Sequence, residues 1–135
     1  MIKTLKTSAA ELVAAAKKEI TEYLAVETIP LLEDDSVVIV DLRDVRERER
    51  SGFIPGSFHC PRGMAEFWVD PQSPYYKPIF GEDRQFIFHC ASGWRSALTV
   101  KTLQDMGMQN IAHISDGFTG WQAADGPVEH YQSKN

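Results

Sequence analysis

Apolar residues along this chain fall into short unbroken runs, separated by polar stretches that carry glycine and proline. "SVVIVDL" holds Val37 to Val40 in one run ending at Asp41, the pattern of a strand buried on both faces. "SFHC" at 57–60, "QFIFHC" at 85–90 and "IAHI" at 111–114 predict three more such strands, and Tyr23-Leu24 a short one before them. In "SALTVKTLQDMG" the spacing changes: Ala97, Val100, Leu103 and Met106 share one helical face, closed by Gly107 at the C-cap. Strand, helix, strand with apolar strands predicts a parallel sheet covered by helices, an α/β fold.

"TSAAELVAAAKKEITEYL" starts with Ser8 as an N-cap and places Leu12, Ala15, Ala16, Glu19 and Ile20 near a helical repeat, predicting an amphipathic helix outside the main fold. A brief helix is expected from about Val26 to Glu33, interrupted where Pro30 lacks an N–H. The stretch from Gly63 to Arg84 holds Pro71, Pro74 and Pro78 and is too long for an ordinary connection, so a lid or an insertion is expected there. The organisation expected is a helical extension over 1–22, one domain over 23–130 with its insertion at about 63–84, and a tail over 131–135.

With 135 residues, 43% of them hydrophobic and 24% charged, the chain has the balance of one globular domain with a single core. A net charge of −5 argues against non-specific binding to nucleic acid or to an anionic membrane. No run approaches the roughly 18 apolar residues of a membrane span, and no apolar h-region marks a signal peptide. Two cysteines do not make a disulfide scaffold. A cytoplasmic location, with both as thiols, is the expectation.

Both cysteines stand in the same tripeptide, Phe58-His59-Cys60 and Phe88-His89-Cys90. Cys90 closes a predicted strand, "ASGWR" follows, and Ser96 opens the helix. Ligands of a parallel sheet bind beyond the carboxyl ends of its strands. A short loop with Gly93 can curl its N–H groups around one point, and the helix dipole adds positive potential there. That cradle suits an anion, and a cysteine at its base is expected to favour thiolate, the nucleophilic form.

"HCASGWRS" on a strand–loop–helix, "VDLRD" ending an earlier strand, "GFIPGS" after it and "DGFTGW" near the C-terminus resemble, in order, a single-domain rhodanese, a sulfurtransferase family. The resemblance runs from about Leu24 to Val128. It implies a five-stranded parallel sheet with helices on both faces, and a cysteine that carries sulfane sulfur as a persulfide. It makes Cys90 the sulfur acceptor, Ala91, Ser92, Gly93, Trp94, Arg95 and Ser96 the substrate-binding loop, and Asp41 and Arg43 a structural brace. Three departures stand out. Phe53 replaces the histidine of "GHIPGA"; the spacing from Asp44 to Gly52 is one residue longer than usual, leaving the acidic position at Glu47 open; Asp116 replaces a glycine, a structural change.

The implied chemistry is ping-pong. Cys90 takes sulfur from a donor such as thiosulfate, then passes it to cyanide or a thiol acceptor, with no cofactor. The rival enzyme is a cysteine-dependent phosphatase, whose loop is Cys-x5-Arg; here the count is Cys-x4-Arg, a tighter ring better matched to one sulfur than to a phosphoryl group. A third reading is a persulfide carrier docking on a partner protein through the N-terminal helix, Trp94 and the insertion's Phe67, Trp68, Tyr75 and Tyr76.

Arg95 has two roles open: binding an anionic donor, or bracing the loop through Asp41 or Glu47. Trp94 is expected at the pocket rim. His59 and Cys60, like His89 and Cys90, are strand neighbours pointing to opposite faces, so no metal site is expected. Cys60 reads as a small core residue, since a resolving role needs Cα atoms within about 7 Å. His59, His89 and His113 read as packed or hydrogen-bonded histidines.

Overall fold

The computed structural model describes residues 2–132. Its centre is one five-stranded, all-parallel sheet in the order β1-β5-β4-β2-β3. The strands are β1 (Glu22–Tyr23), β2 (Val37–Asp41), β3 (Phe58–His59), β4 (Gln85–His89) and β5 (Ile111–Ile114). β4 lies between β2 and β5, with Asp41 opposite His89 and Phe88 opposite His113. The expected strand at 57–60 is confined to Phe58 and His59 on the sheet edge.

Among the described residues six α-helices accompany the sheet: α1 (Ala9–Lys17), α2 (Ala25–Thr28), α3 (Val45–Ser51), α4 (Ala65–Val69), α5 (Trp94–Asp105) and α6 (Gly117–Ala123). One face of the sheet buries Val38, Val40, Phe86 and Phe88 with Val100 and Leu103 of α5. The other buries Ile39, Ile87 and Ile114 with Ala25 of α2 and Phe118 and Trp121 of α6. Each such large side chain contributes roughly 1.5–3 kcal/mol by leaving water, which is why the strand runs are apolar without alternation.

α1 carries a capping box: the Ser8 hydroxyl accepts from the Glu11 N–H at 3.1 Å, and the Glu11 carboxylate accepts from the Ser8 N–H at 3.0 Å. The helix ends at Lys17 because the chain must turn into β1. Val13 and Ala16, not Leu12, form its buried face, and they pack on Ala97 and Leu98 of α5. α5 begins two residues before the expected Ser96, and Met106 is half exposed because it lies beyond the last turn as the C-cap. Pro30 falls in a single 3₁₀ turn, Ile29–Leu31, that ends the α2 segment.

α3 was not legible as an apolar stripe, since "VRERERS" is almost wholly polar. Reciprocal capping between Asp44 and Glu47 starts it instead. The segment expected as a lid or insertion packs onto the sheet. Ala65 and Phe80 are buried, Trp68 and Ile79 pack beside them, and Phe80 meets Phe58 edge-on at 5.6 Å. It is therefore extra core on the Val38/Val40 face. Tyr131, placed in the expected tail, packs against Phe53 with ring centroids 4.8 Å apart, while residues 133–135 of that tail lie outside the described residues. Among the described residues no helix is long and apolar enough to cross a membrane.

Candidate active site

β4 ends at His89, and the chain then turns through Cys90–Gly93 into α5. Cys90 Sγ is the point on which that turn closes. The Gly93 N–H donates to it at 3.1 Å and the Ser96 N–H at 3.4 Å, and the Ser96 hydroxyl lies 3.6 Å away. Cys90 is only 1% exposed, so the sulfur sits at the floor of the loop rather than at an open mouth.

The inward aim of these amides has a traceable cause. Gly93 has φ +94°, the left-handed conformation in which its N–H can point back at the sulfur while its carbonyl starts α5. A Cβ there would run into the Ser115 carbonyl. On the far side, the Phe118 N–H donates to the Cys90 carbonyl at 2.9 Å and the Thr119 N–H to the Ala91 carbonyl at 3.0 Å. These bonds hold the Cys90 and Ala91 carbonyls on α6 and fix the start of the loop. Gly117, at φ +60°, lies so close to the Cys90 and Ala91 carbonyls that no side chain fits.

Arg95 is half-buried and forms a two-point pair with Glu47 of α3, both N–O distances being 2.8 Å. Hydrogen bonding from Arg95 holds the Glu47 carboxyl down at about 2, against the opposing effect of burial. Of the two partners considered for Arg95, Asp41 is engaged elsewhere. Buried Asp41 accepts from the Arg43 backbone N–H at 3.0 Å, from Arg43 Nη2 at 2.9 Å and from Arg48 Nη1 at 2.8 Å. Burial alone would raise the Asp41 carboxyl; neighbouring His89 and then the hydrogen bonds and charge of Arg43 hold it well below the usual carboxylate range. Arg43 also donates to the Gly52 carbonyl and stacks on Phe118, while Arg48 stacks on Phe53. The Phe53 position thus supports a cation with its ring face.

His89 lies between this network and the loop. Its Nδ1–H donates to the Cys90 carbonyl at 3.0 Å. Burial pushes its pKa down, and Nε2, 3.8 Å from Asp41, is the one buried side-chain N or O without a hydrogen-bond partner among the described residues.

The other expected residues fall as follows. Ser92 and Trp94 are exposed, Ala91 is half-buried and Ser96 is buried. His59 Nε2–H donates to the Arg43 carbonyl, and Asp116 accepts from the Ala25 N–H at 2.8 Å, a purely structural tie between α6 and α2. Cys60 is fully buried, and burial pushes its thiol up to about 12. β2 separates β3 from β4, so at roughly 4.8 Å per strand Cys60 and Cys90 stand about 10 Å apart, beyond disulfide reach. Among the described residues no group of three or more His, Cys, Asp or Glu could hold a metal ion.

Three residues near the site were not singled out from sequence: Arg48, which pairs with Asp41; Glu22; and, as a partner of Ser96, His113. Ser96 Oγ lies 2.7 Å from His113 Nδ1, and His113 Nε2 lies 2.8 Å from Glu22 Oε2. Glu22 is 91 residues from His113 in sequence and meets it only through the β1–β5 pairing, so no local pattern could have joined them.

The family model of the Rhodanese-like domain matches residues 25–124. A solved structure from Rhodopseudomonas palustris CGA009, of a protein of unknown function and possible tyrosine phosphatase, is 51% identical with a TM-score of 0.91, covering 96% of this chain and 99% of that one. The Arabidopsis thaliana protein named dual specificity phosphatase Cdc25 is 30% identical over 123 residues, which are 84% of this chain and 81% of that protein. Thiosulfate sulfurtransferase GlpE of Pseudoalteromonas translucida (strain TAC 125) is 29% identical over 99 residues, 73% of this chain and 85% of that protein.

Proposed function

This chain belongs to the rhodanese-like domain family, and from that premise we propose that it is a sulfurtransferase working through a Cys90 persulfide. The observation that carries this reading is the ring around Cys90 Sγ, where two backbone N–H groups point at one sulfur at 3.1 and 3.4 Å. Donors fixed in that way stabilise negative charge without reorganising, each by about 3 kcal/mol in related anion sites.

In the first half-reaction the Cys90 thiolate attacks the outer sulfur of thiosulfate. The new S–S bond forms as the donor's own S–S bond breaks, and sulfite leaves with the electron pair. The terminal sulfur of the persulfide now carries the negative charge within reach of the loop amides. In the second, cyanide or a thiolate attacks that outer sulfur, and the Cys90 thiolate departs as the leaving group. A reducing cytoplasm would keep both half-reactions supplied with free thiol.

Two relatives carry phosphatase names, so phosphoryl transfer is the competing reading. It is disfavoured by the engagement of Arg95, whose two terminal nitrogens both pair with Glu47, so that its end-on fork is already used by a carboxylate. The four-residue spacing between Cys90 and Arg95 also makes a small ring. A persulfide carrier serving a partner protein uses the same Cys90 chemistry and differs only in the acceptor.

Intact mass after incubation with thiosulfate tests the reading. The expected result is a gain of one sulfur atom, absent in Cys90→Ala and reversed by cyanide. Turnover of an aryl phosphate with no sulfur gain would replace it with the phosphatase reading. Slow turnover with thiosulfate and cyanide, but rapid labelling from a protein persulfide, would identify a carrier.

A further inference from the structure

Cys90 has to lose a proton to act, yet at 1% exposure it has almost no contact with bulk water. A chain of side chains leads away from it. Ser96 Oγ is 3.6 Å from Cys90 Sγ, His113 Nδ1 is 2.7 Å from Ser96 Oγ, and Glu22 Oε2 is 2.8 Å from His113 Nε2. Ser96 and His113 are fully buried, whereas the Glu22 side chain is 33% exposed. The chain therefore runs from the floor of the loop to the surface across α5, β5 and β1.

The donor and acceptor inventory restricts how protons can be arranged along it. The Glu22 carboxylate only accepts, so His113 Nε2 carries a hydrogen. In one fully satisfied arrangement the Cys90 S–H donates to Ser96 Oγ, and the Ser96 O–H donates to a neutral His113 Nδ1. In the other, an imidazolium Nδ1–H donates to Ser96 Oγ, and the Ser96 O–H donates to a Cys90 thiolate. A thiolate beside neutral His113 leaves two acceptors competing for one hydroxyl proton; a thiol beside imidazolium has the hydroxyl accepting from both, with its own proton left unpaired. In a buried chain both mixed states are costly. Thiol and imidazole are thus tied to exchange one proton as a unit.

We propose that Ser96, His113 and Glu22 form a proton relay that generates the Cys90 nucleophile, with Ser96 catalytic at the sulfur and His113 and Glu22 positioning residues behind it. As the thiol proton passes to Ser96 Oγ, the Ser96 proton passes to His113 Nδ1, so one thiolate and one imidazolium form and net charge is unchanged. Glu22 holds the Nε2–H tautomer and stabilises the imidazolium. The other charged group facing this pair is Lys17 at the end of α1, with Nζ 3.9 Å from Glu22 Oε2. Burial pushes His113 down and Lys17 works in the same direction, while Glu22 pulls it up. Arg95 is committed to Glu47 and stands outside the chain.

This inference rests on Cys90 being the nucleophile, but its test uses no sulfur donor. Thiolate absorbance at 240 nm is followed from about pH 4 to pH 10, with Cys90→Ala subtracted as the blank. Cys60, pushed up to about 12, stays silent over that range. The Cys90 midpoint is expected to rise by about one unit or more in His113→Asn and Ser96→Ala, a tenfold loss of thiolate below the midpoint, and by less in Glu22→Gln. Reciprocally, the His113 midpoint measured by NMR is expected to fall in Cys90→Ala, since the thiolate that favours the imidazolium is gone. Glu22→Gln, at a partly exposed carboxylate, and Cys90→Ala keep the test decisive if His113→Asn does not fold. Unchanged Cys90 midpoints in Glu22→Gln, or a His113 midpoint indifferent to the thiol, overturn the relay. Shifted midpoints without sulfur gain from thiosulfate keep the relay and remove the transferase reading, while sulfur gain with unshifted midpoints does the reverse.

Discussion

Arg95 of the loop and Glu47 of α3 face each other with both guanidinium nitrogens 2.8 Å from the two carboxylate oxygens. Glu47 also accepts from the Asp44 N–H at 3.0 Å. One carboxylate thus ties the start of α3 to the first turn of α5, and the loop ring inherits its shape from a helix that follows a different strand.

Glu47→Gln should loosen that ring. Sulfur transfer is expected to fall by about tenfold or more, the scale of losing one positioning contact, and stability by about 1 kcal/mol because the pair is partly exposed. The folded carboxyl, near 2, lies below its ordinary value of 4.5. Its contribution is therefore complete above about pH 4.5 and disappears as pH falls through about 2. Urea denaturation of both proteins at neutral pH and near pH 2.5 checks this: the gap between them should narrow in acid.

Asp41→Asn removes the negative charge shared by Arg43 and Arg48. Two guanidinium groups would be left buried with no countercharge, which costs roughly 3–5 kcal/mol. A large drop in denaturation midpoint is expected, with the circular dichroism of the remaining folded protein unchanged. Because the native carboxyl is depressed, the wild-type network gives its full stabilisation above the ordinary carboxylate range and loses it only at lower pH.

Gly93→Ala places a Cβ against the Ser115 carbonyl at φ +94°. The left-handed conformation costs about 1–2 kcal/mol for an alanine, before any clash. The loop has to shift to relieve it, moving the N–H that now lies 3.1 Å from Cys90 Sγ. Loss of 2 kcal/mol or more in stability, together with an about hundredfold slower sulfur gain by intact mass, is the expected outcome.

Cys60→Ala should leave sulfur loading intact, since Cys60 is a protonated core thiol. Stability should fall by about 1–2 kcal/mol for the small cavity. Treatment of the wild type with a thiol oxidant should give no Cys60–Cys90 disulfide by peptide mass. Detection of that disulfide would show that the two strands' ends can approach each other.

The amino-acid sequence by itself determined the sheet and the placement of Cys90 at the end of a strand. Runs such as Val37–Val40 and Phe86–Phe88 are apolar at every position, short, and rich in β-branched and aromatic residues, the pattern of a strand covered on both faces. Gly93 beside Cys90 marked the backbone turn, because positive φ leaves a trace in residue type. What tertiary structure alone decided is which polar groups meet. α3 starts from capping contacts rather than an apolar stripe, so the Glu47–Arg95 pair had no periodic signal. Met106 follows the helical repeat yet faces solvent, because the helix stops at Asp105. Glu22 and His113 come together across a parallel pairing of chain segments far apart in sequence, and Ser96 reaches His113 only after α5 has packed on the sheet. Hydrophobic periodicity is a property of neighbours along the chain, whereas a hydrogen-bonded chain of three elements exists only once burial has brought them together.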